Sequence, residues 1–346
     1  MTNKLLSCIN KKRVGYIPIW FMRQAGRYLP EFRKIRKKNP NFIKLCLNKS
    51  ITPEITLQPL KRFEFDAAII FSDILMLPYG LGQEVKFKKN FCPFLGNLDL
   101  KKLSNMKEKN FSNKLKSVYE AINIVLKDKL LNKKDLIGFV GAPWTIYIYM
   151  LNKQSPKRFK SQIDGLENYL FNRQKLKEKE KEKLMLIIIK YLKLHIKNQV
   201  DSGATIIQIF DSWAGLLKDD NSYKQFIYSP TKELVDYTKK LGVPVICFPK
   251  GIKNYKKFCE FVKPNAVNID YEVDPKTIAK EIKIPVQGGL DPKILLGDKD
   301  QLKKGATKYL EIFKDHPYIF NLGHGILPET DPNMVDYLIK FVKDFK

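Results

Sequence analysis

The sequence is poor in the residues that hold metals and disulfides. Its 346 residues include three histidines, His195, His316 and His324, none in an HExxH or HxH pattern. The five cysteines, Cys8, Cys46, Cys92, Cys247 and Cys259, are odd in number and contain no CxxC pair. That excludes a disulfide framework and a zinc knuckle and makes a reducing compartment the default. No cysteine neighbours a histidine at ligand spacing, so no metal is expected. Long apolar runs are also missing. The longest aliphatic stretch, Leu184 to Ile189, is far below the ~18 residues of a spanning helix. The N-terminal MTNKLLSCINKKR has too short an apolar stretch for a signal peptide. A soluble, cytoplasmic protein without a membrane partner is the expectation.

Arginine is scarce in a chain that is otherwise strongly basic. The formal charge is +27, yet 55 of the 63 basic residues are lysine. Such a charge would ordinarily suggest nucleic acid. Here the lysines are spread from end to end in a chain also rich in Asn and Ile, and no nucleic-acid-binding motif accompanies them, so the excess reads as compositional bias. The alternation KLKEKEKEK from Lys175 to Lys183 carries both signs and opens a solvated helix. Against this background, four of the eight arginines fall within fourteen residues: Arg23, Arg27, Arg33 and Arg36. Arginine offers a planar, permanently charged fork that suits carboxylate or phosphate, so the segment reads as an anion clamp. Gly26 and Pro30 interrupt any long helix, placing Arg23 and Arg27 on an irregular stretch behind apolar Trp20, Phe21 and Met22. Arg33 and Arg36 share one face of a short helix after Pro30.

What the chain has in quantity is one repeated theme. Short buried runs end in a polar or glycine-containing turn and are followed by longer amphipathic stretches. The runs are AAIIFSD (67–73), LIGFVGAPW (136–144), ATIIQIFDS (204–212), VPVICFPKG (243–251), NAVNIDY (265–271), IPVQGGLD (284–291) and YIFNLGHG (318–325). Continuous apolar strands alternating with helices imply parallel βα units covered on both faces. YIPIWFM (16–22) could supply an eighth strand or an arm. One intervening helix is marked by Leu184, Ile188, Tyr191 and His195 on a single face, with Asp201-Ser202-Gly203 as its stop, which makes His195 a core or rim residue. Without a glycine-rich dinucleotide fingerprint or a P-loop, a doubly wound sheet is disfavoured, and the expected fold is α/β, a (β/α)8 TIM barrel in one domain over residues 1–346.

In such a barrel the active-site cleft lies at the C-terminal ends of the strands, so the polar residues closing each run are the candidates. They are Asp73, Tyr147 and Tyr149, Asp211 and Ser212, Lys250, Asp270, Gln287, Asp291 and His324. Asp291 before Pro292 reads as a helix N-cap. Asp73 stands immediately after a buried strand and must find a cationic partner or ligand, which the arginine segment can supply. Gly323 and Gly325 flank His324 and are expected to leave space for a ligand beside the imidazole, a hydrogen-bond donor to substrate.

The run Pro18 to Arg33, PIWFMRQAGRYLPEFR, resembles the N-terminal signature of the uroporphyrinogen decarboxylase family, and GFVGAPWT (138–145) resembles its second signature. TLQPLKRFEFDAAIIFSDIL (56–75), IFDSWAG (209–215), QGGLDP (287–292) and NLGHG (321–325) follow in order. The resemblance thus runs from Pro18 to Pro332. Two positions depart from the family pattern: Gly289 stands where an asparagine is usual, and the stretch after Asp73 reads LPYGLG. Neither is assigned to chemistry.

The resemblance implies a distorted (β/α)8 barrel, commonly a homodimer with facing clefts, that removes carbon dioxide from the four acetates of uroporphyrinogen III to give coproporphyrinogen III. It implies no cofactor. By the same matching Asp73, Arg23 and Tyr149 would be catalytic. Arg23, Gln24, Ala25, Gly26, Arg27, Asp73, Tyr149, Ser212 and His324 would bind substrate. Arg36 is a weaker candidate. A competing reading on the same fold is a zinc-binding, cobamide-dependent methyltransferase, but Cys247 lacks a paired His-x-Cys. A non-catalytic porphyrinogen- or nucleic-acid-binding protein is the alternative from another class.

Overall fold

The computed structural model describes residues 3–10, 16–87, 93–153, 176–217 and 219–345; Cys92 and Lys175, named above, lie outside them. All seven apolar runs form strands of one parallel sheet. These are β1 (Ala67–Ile69), β4 (Asp135–Gly141), β5 (Ile206–Asp211), β6 (Val245–Pro249), β7 (Ala266–Ile269), β8 (Val286–Gly288) and β9 (Tyr318–Ile319). Sequence neighbours pair throughout, in the order β1-β4-β5-β6-β7-β8-β9. The strands are buried nearly end to end, as in β4, where only Phe139 has partial exposure. A helical layer explains this on the outer face, since β6 is followed by Tyr255–Val262, β7 by Pro275–Glu281, β8 by Lys299–Ile312 and β9 by Pro332–Asp344. Two further strands, β2 (Val85–Phe87) and β3 (Pro93–Leu95), pair antiparallel outside the main sheet; the sequence reading did not foresee them.

The segment 18–20 closes the barrel. Ile19 forms a parallel bridge with Phe320, and Phe320 N donates to Pro18 O at 2.8 Å. On the other side Asp66 N donates to Ile19 O at 2.9 Å, while the Asp66 carboxylate accepts Ile19 N–H at 2.9 Å. The side chain of Asp66 thus supplies an acceptor where a longer strand would present a carbonyl, and the eighth stave shrinks to a strap. Inside the barrel a polar layer ties the strap to the sheet. Trp20 Nε1 donates to Gln287 Oε1 at 2.9 Å, and Gln287 Nε2 donates to Asn268 Oδ1 at 2.8 Å and Gln208 Oε1 at 3.2 Å. The layer uses the amide oxygens of Gln208, Asn268 and Gln287 as acceptors, while Gln208 Nε2 stays buried without a partner.

Local signals behave as the sequence suggested. The helix Glu178–Asp201 buries Leu184, Ile188, Tyr191 and His195 and gives way at Ser202 to Gly203, whose φ is +112°. His195 Nδ1 lies 3.0 Å from Tyr119 Oη. Burial lowers its pKa to about 4, so it is a neutral core residue at physiological pH. Asp291 caps the short helix Pro292–Leu296 by accepting Lys293 N–H.

Candidate active site

The strand ends open into a cleft of about 400 Å³ lined by Arg23, Ala25, Gly26 and Arg27 from the strap side, by Asp73 and by Tyr149, Ser212, Lys250 and His324, a size typical of small-molecule sites. Every residue assigned to substrate by resemblance borders it except Gln24. That side chain is buried against the backbone instead: its Oε1 accepts Phe21 N–H at 3.1 Å and its Nε2 donates to Ala67 O at 3.0 Å. The Gln24 side chain thus braces the strap against β1. The polar demand of a tight loop absorbed it.

The loop beyond the strap holds Arg23 in an unusual conformation. Arg23 has φ +61°, a left-handed region that costs a non-glycine residue about 1 kcal/mol or more. Its surroundings impose that backbone. Met22 N donates to Asn321 Oδ1 at 3.2 Å, Ile326 N donates to Met22 O at 3.0 Å, and Gln24 N donates to Phe21 O at 3.0 Å. At Gly26 a Cβ would stand 2.7 Å from Arg23 O, so only glycine allows the following turn to pass this close. The helix Pro30–Lys38 begins directly after. Arg33 reaches back from it to donate to Arg27 O and Tyr28 O, both at 2.9 Å. Arg36 donates to Asn39 O and lies over the Phe42 ring. Two arginines of the cluster thus face the cleft and two shape the loop and helix behind it.

Asp73 follows β1 at the cleft floor. Its Oδ1 accepts Leu75 N–H at 2.8 Å, and its pKa is raised to about 6, chiefly by burial, against the opposing pull of that hydrogen bond and of Arg23. Arg23 stays accessible to water, although protein encloses it on most sides. That enclosure and the charge of Arg27 lower its pKa, while Asp73 and Tyr149 pull it up. The site is therefore a cation pair facing one carboxylate that is ionised at neutral pH but close to titrating.

His324 accepts Gly325 N–H through Nδ1 at 2.8 Å, which places the neutral ring's proton on Nε2 and makes that nitrogen the donor. His324 and Gly325 both border the cleft, and the positions where the two flanking glycines lack a side chain are taken up by protein. A Cβ at Gly323 would meet Tyr271 N at 2.4 Å, and one at Gly325 would meet Arg23 Cδ at 2.4 Å. The protein's own backbone and the Arg23 stem fill both spaces.

The remaining strand-end candidates separate by face. Asp211 points away from the cleft, where its Oδ1 accepts the Thr145 hydroxyl at 2.6 Å; burial raises its pKa to about 7. Asp270 organises a turn, accepting Gly251 N–H at 2.8 Å, Tyr255 Oη–H at 3.0 Å and Glu272 N–H at 2.9 Å. Tyr147 stacks on Trp144 in the core, and Gln287 belongs to the barrel interior. Sequence reasoning missed the cleft's aromatic wall. Phe139, Phe210 and Phe248 line it, with ring centroids 5.6 and 6.5 Å apart in succession. The signal was present, since each phenylalanine stands two residues before a strand-closing Gly141, Ser212 or Lys250. Phe42 and Phe87, 4.6 Å apart, add an outer wall. Among the described residues no group of three or more His, Cys, Asp or Glu side chains converges as a metal site would require.

Comparison with known proteins finds relatives along nearly the whole chain. The family model described as uroporphyrinogen decarboxylase matches residues 1–345. Uroporphyrinogen decarboxylase of Rickettsia bellii is 43% identical over 346 residues, covering 99% of each chain. That of Rickettsia felis is 42% identical over 341 residues, covering 96% of this chain and 94% of the relative. Among solved structures, a methyltransferase from Methanosarcina mazei superposes with a TM-score of 0.77 at 16% identity, covering 100% of this chain and 99% of that one. That likeness speaks to the barrel fold alone.

Proposed function

The chain belongs to the uroporphyrinogen decarboxylase family, and from that premise we propose that Asp73, Arg23 and Tyr149 carry its chemistry. The reaction is decarboxylation of uroporphyrinogen in tetrapyrrole biosynthesis, a carboxy-lyase activity. The observation that carries the site assignment is the meeting of Asp73, four residues beyond β1, with Arg23 from the loop after the closing strap in one cleft.

Uroporphyrinogen III bears eight carboxylates, and Arg23 and Arg27 would bind some of them, orienting one acetate at the cleft floor. Losing carbon dioxide requires somewhere for the electrons of the breaking C–C bond to go. A proton added to a pyrrole carbon turns that ring into an iminium-like cation, which accepts them. The exocyclic methylene then takes a proton and the ring loses one, leaving a methyl group. Each cycle consumes one proton and releases one carbon dioxide, and the pyrrole serves as its own electron sink, so the scheme invokes no cofactor.

Asp73 would stabilise the ring cation through the pyrrole N–H groups. At ~4 Å and an effective dielectric of ~20 a charge pair is worth about 4 kcal/mol, roughly a thousandfold in rate if gained only in the transition state. Arg23 would face the departing acetate, and Tyr149, Ser212 and His324 would donate to other substrate groups. The proton enters from Tyr149 or a relayed water, because guanidinium is a weak acid even when enclosure lowers its pKa. The aromatic wall supports the departure of a neutral gas from a charged group by keeping bulk water away.

The same reading has the chain act as one domain, in the cytoplasm, as a homodimer with facing clefts. Among the described residues no helix is long and apolar enough to cross a membrane. The test is anaerobic incubation of metal-free protein with uroporphyrinogen III, following carboxyl groups by chromatography after oxidation. Conversion from eight carboxylates to four is expected. No conversion by folded protein would shift the weight to a zinc-dependent methyltransferase or a binding role.

A further inference from the structure

Lys250 ends the stave opposite the arginines. Counting the strap as the first stave, followed by β1, β4, β5 and β6, Lys250 closes the fifth of eight. Arg23 and Arg27 therefore enter the cleft from one wall and Lys250 from the wall across it, and among the described residues Asp73 is the only carboxylate in the lining. Most of the chain's lysines hang from helix surfaces, but the backbone of this one is fixed from three sides. Lys250 N donates to Asp211 O at 3.1 Å and Gly215 N donates to Lys250 O at 3.0 Å. The next residue, Gly251, has φ +77° and donates its N–H to Asp270 Oδ2 at 2.8 Å. A Cβ at Gly215 would stand 2.5 Å from Gly251 O, so the β5 and β6 loops are pressed together beneath the lysine. A cation root held this firmly is suited to binding.

We propose that Lys250 is a substrate-positioning residue that pairs with carboxylates on the side of the substrate across from Arg23 and Arg27. The inference rests on the decarboxylase reading and extends it from the reacting ring to the opposite rim. The substrate carries carboxylates around its whole periphery, so with the macrocycle's N–H groups toward Asp73 and one acetate held by the arginines, others project toward β6. Successive turnovers present a changed rim there, first acetate with propionate and later methyl with propionate. A lysine, a mobile point charge on a flexible stem, accommodates such variation, whereas an arginine fork imposes one planar geometry. The forks stand where one acetate must be aligned, and the point charge stands where the partner varies.

The experiment compares initial rates of wild-type, Lys250→Met and Lys250→Arg proteins on the eight-carboxylate porphyrinogen and on a five-carboxylate intermediate. One half-buried cation at the cleft rim is worth roughly fivefold to tenfold in affinity. Lys250→Met is expected to raise KM for the eight-carboxylate substrate by about that factor, with kcat within about twofold, and to raise it less for the five-carboxylate one. Lys250→Arg should restore most of the loss on the larger substrate. A KM for Lys250→Met within about twofold of wild type on both substrates overturns the proposal. So does a fall in kcat at unchanged KM. Wild-type protein that converts neither substrate would overturn the decarboxylase reading, and this inference with it.

Discussion

Gly325 lies so close to the stem of Arg23 that a Cβ added there would stand 2.4 Å from Arg23 Cδ and 2.7 Å from Cγ. The glycine after His324 thus sets where the guanidinium can be. Gly325→Ala should push the Arg23 side chain off its course while leaving the strap's backbone bonds in place. We expect kcat/KM to fall by about ten- to a hundredfold, as small misplacements of aligning groups do, with little change in thermal midpoint. Activity near that of wild type would mean that Arg23 has no alignment role.

Asp73→Asn separates stability from function. The folded carboxyl has a pKa of about 6 and the unfolded one is near 3.9. Above both values, folding therefore keeps a charge in a place that resists it. Asparagine removes that cost, so the variant should melt at or above the wild-type temperature at pH 8, while kcat falls roughly a thousandfold. Wild-type activity should also decline as pH drops through about 6 and Asp73 is neutralised. A folded Asp73→Asn protein with near-normal turnover would remove Asp73 from the mechanism.

Thr145 joins the helix Pro143–Asn152, which carries Tyr149, to the turn that carries Ser212. Its hydroxyl donates to Asp211 Oδ1 at 2.6 Å and accepts Trp213 N–H at 3.2 Å. Thr145→Val keeps the shape and strands both partners in the core, at about 1–3 kcal/mol for each. Urea unfolding should show a loss of about 2–6 kcal/mol. A loss below ~1 kcal/mol would mean that water reaches these groups.

Asp211 should make stability depend on pH. Its folded pKa is raised to about 7 by burial, against an unfolded value near 3.9. Between those limits the folded state binds more protons, so this group's contribution falls as pH rises from about 4 and levels off above about 7. Asp73 acts in the same direction up to about pH 6. Thermal midpoints of wild type and Asp211→Asn, measured from pH 5 to 8, should diverge progressively in favour of the variant. Parallel curves would show that Asp211 is ionised at no cost.

The strands were legible because each of β1 and β4 to β9 is covered on both faces, and a continuous apolar run needs no partner to be recognised. The caps were legible for a similar reason, since Asp291 serves a helix that starts one residue later. The strap was not. Whether residues 16–22 formed a strand or an arm turned on Asp66, 47 residues beyond Ile19, which takes the Ile19 N–H. Gln24 looked like part of the binding signature, but its amide holds Ala67 O, a contact no local pattern reveals. Asp211 and Ser212 are adjacent and looked equivalent; the two-residue period of the strand sends one to the helix layer and the other to the cleft.

By itself the sequence determined the run of βα units, the arginine cluster, the carboxylate at Asp73 and the family to which these motifs point, because all are written in contiguous residues. Only the tertiary structure decided how the barrel closes, that Arg23 sits at positive φ beneath Gly325, and that Lys250 faces the arginines across the cleft. Those facts depend on strand register and on backbones meeting at van der Waals distance, and such contacts exist only once segments hundreds of residues apart have packed together.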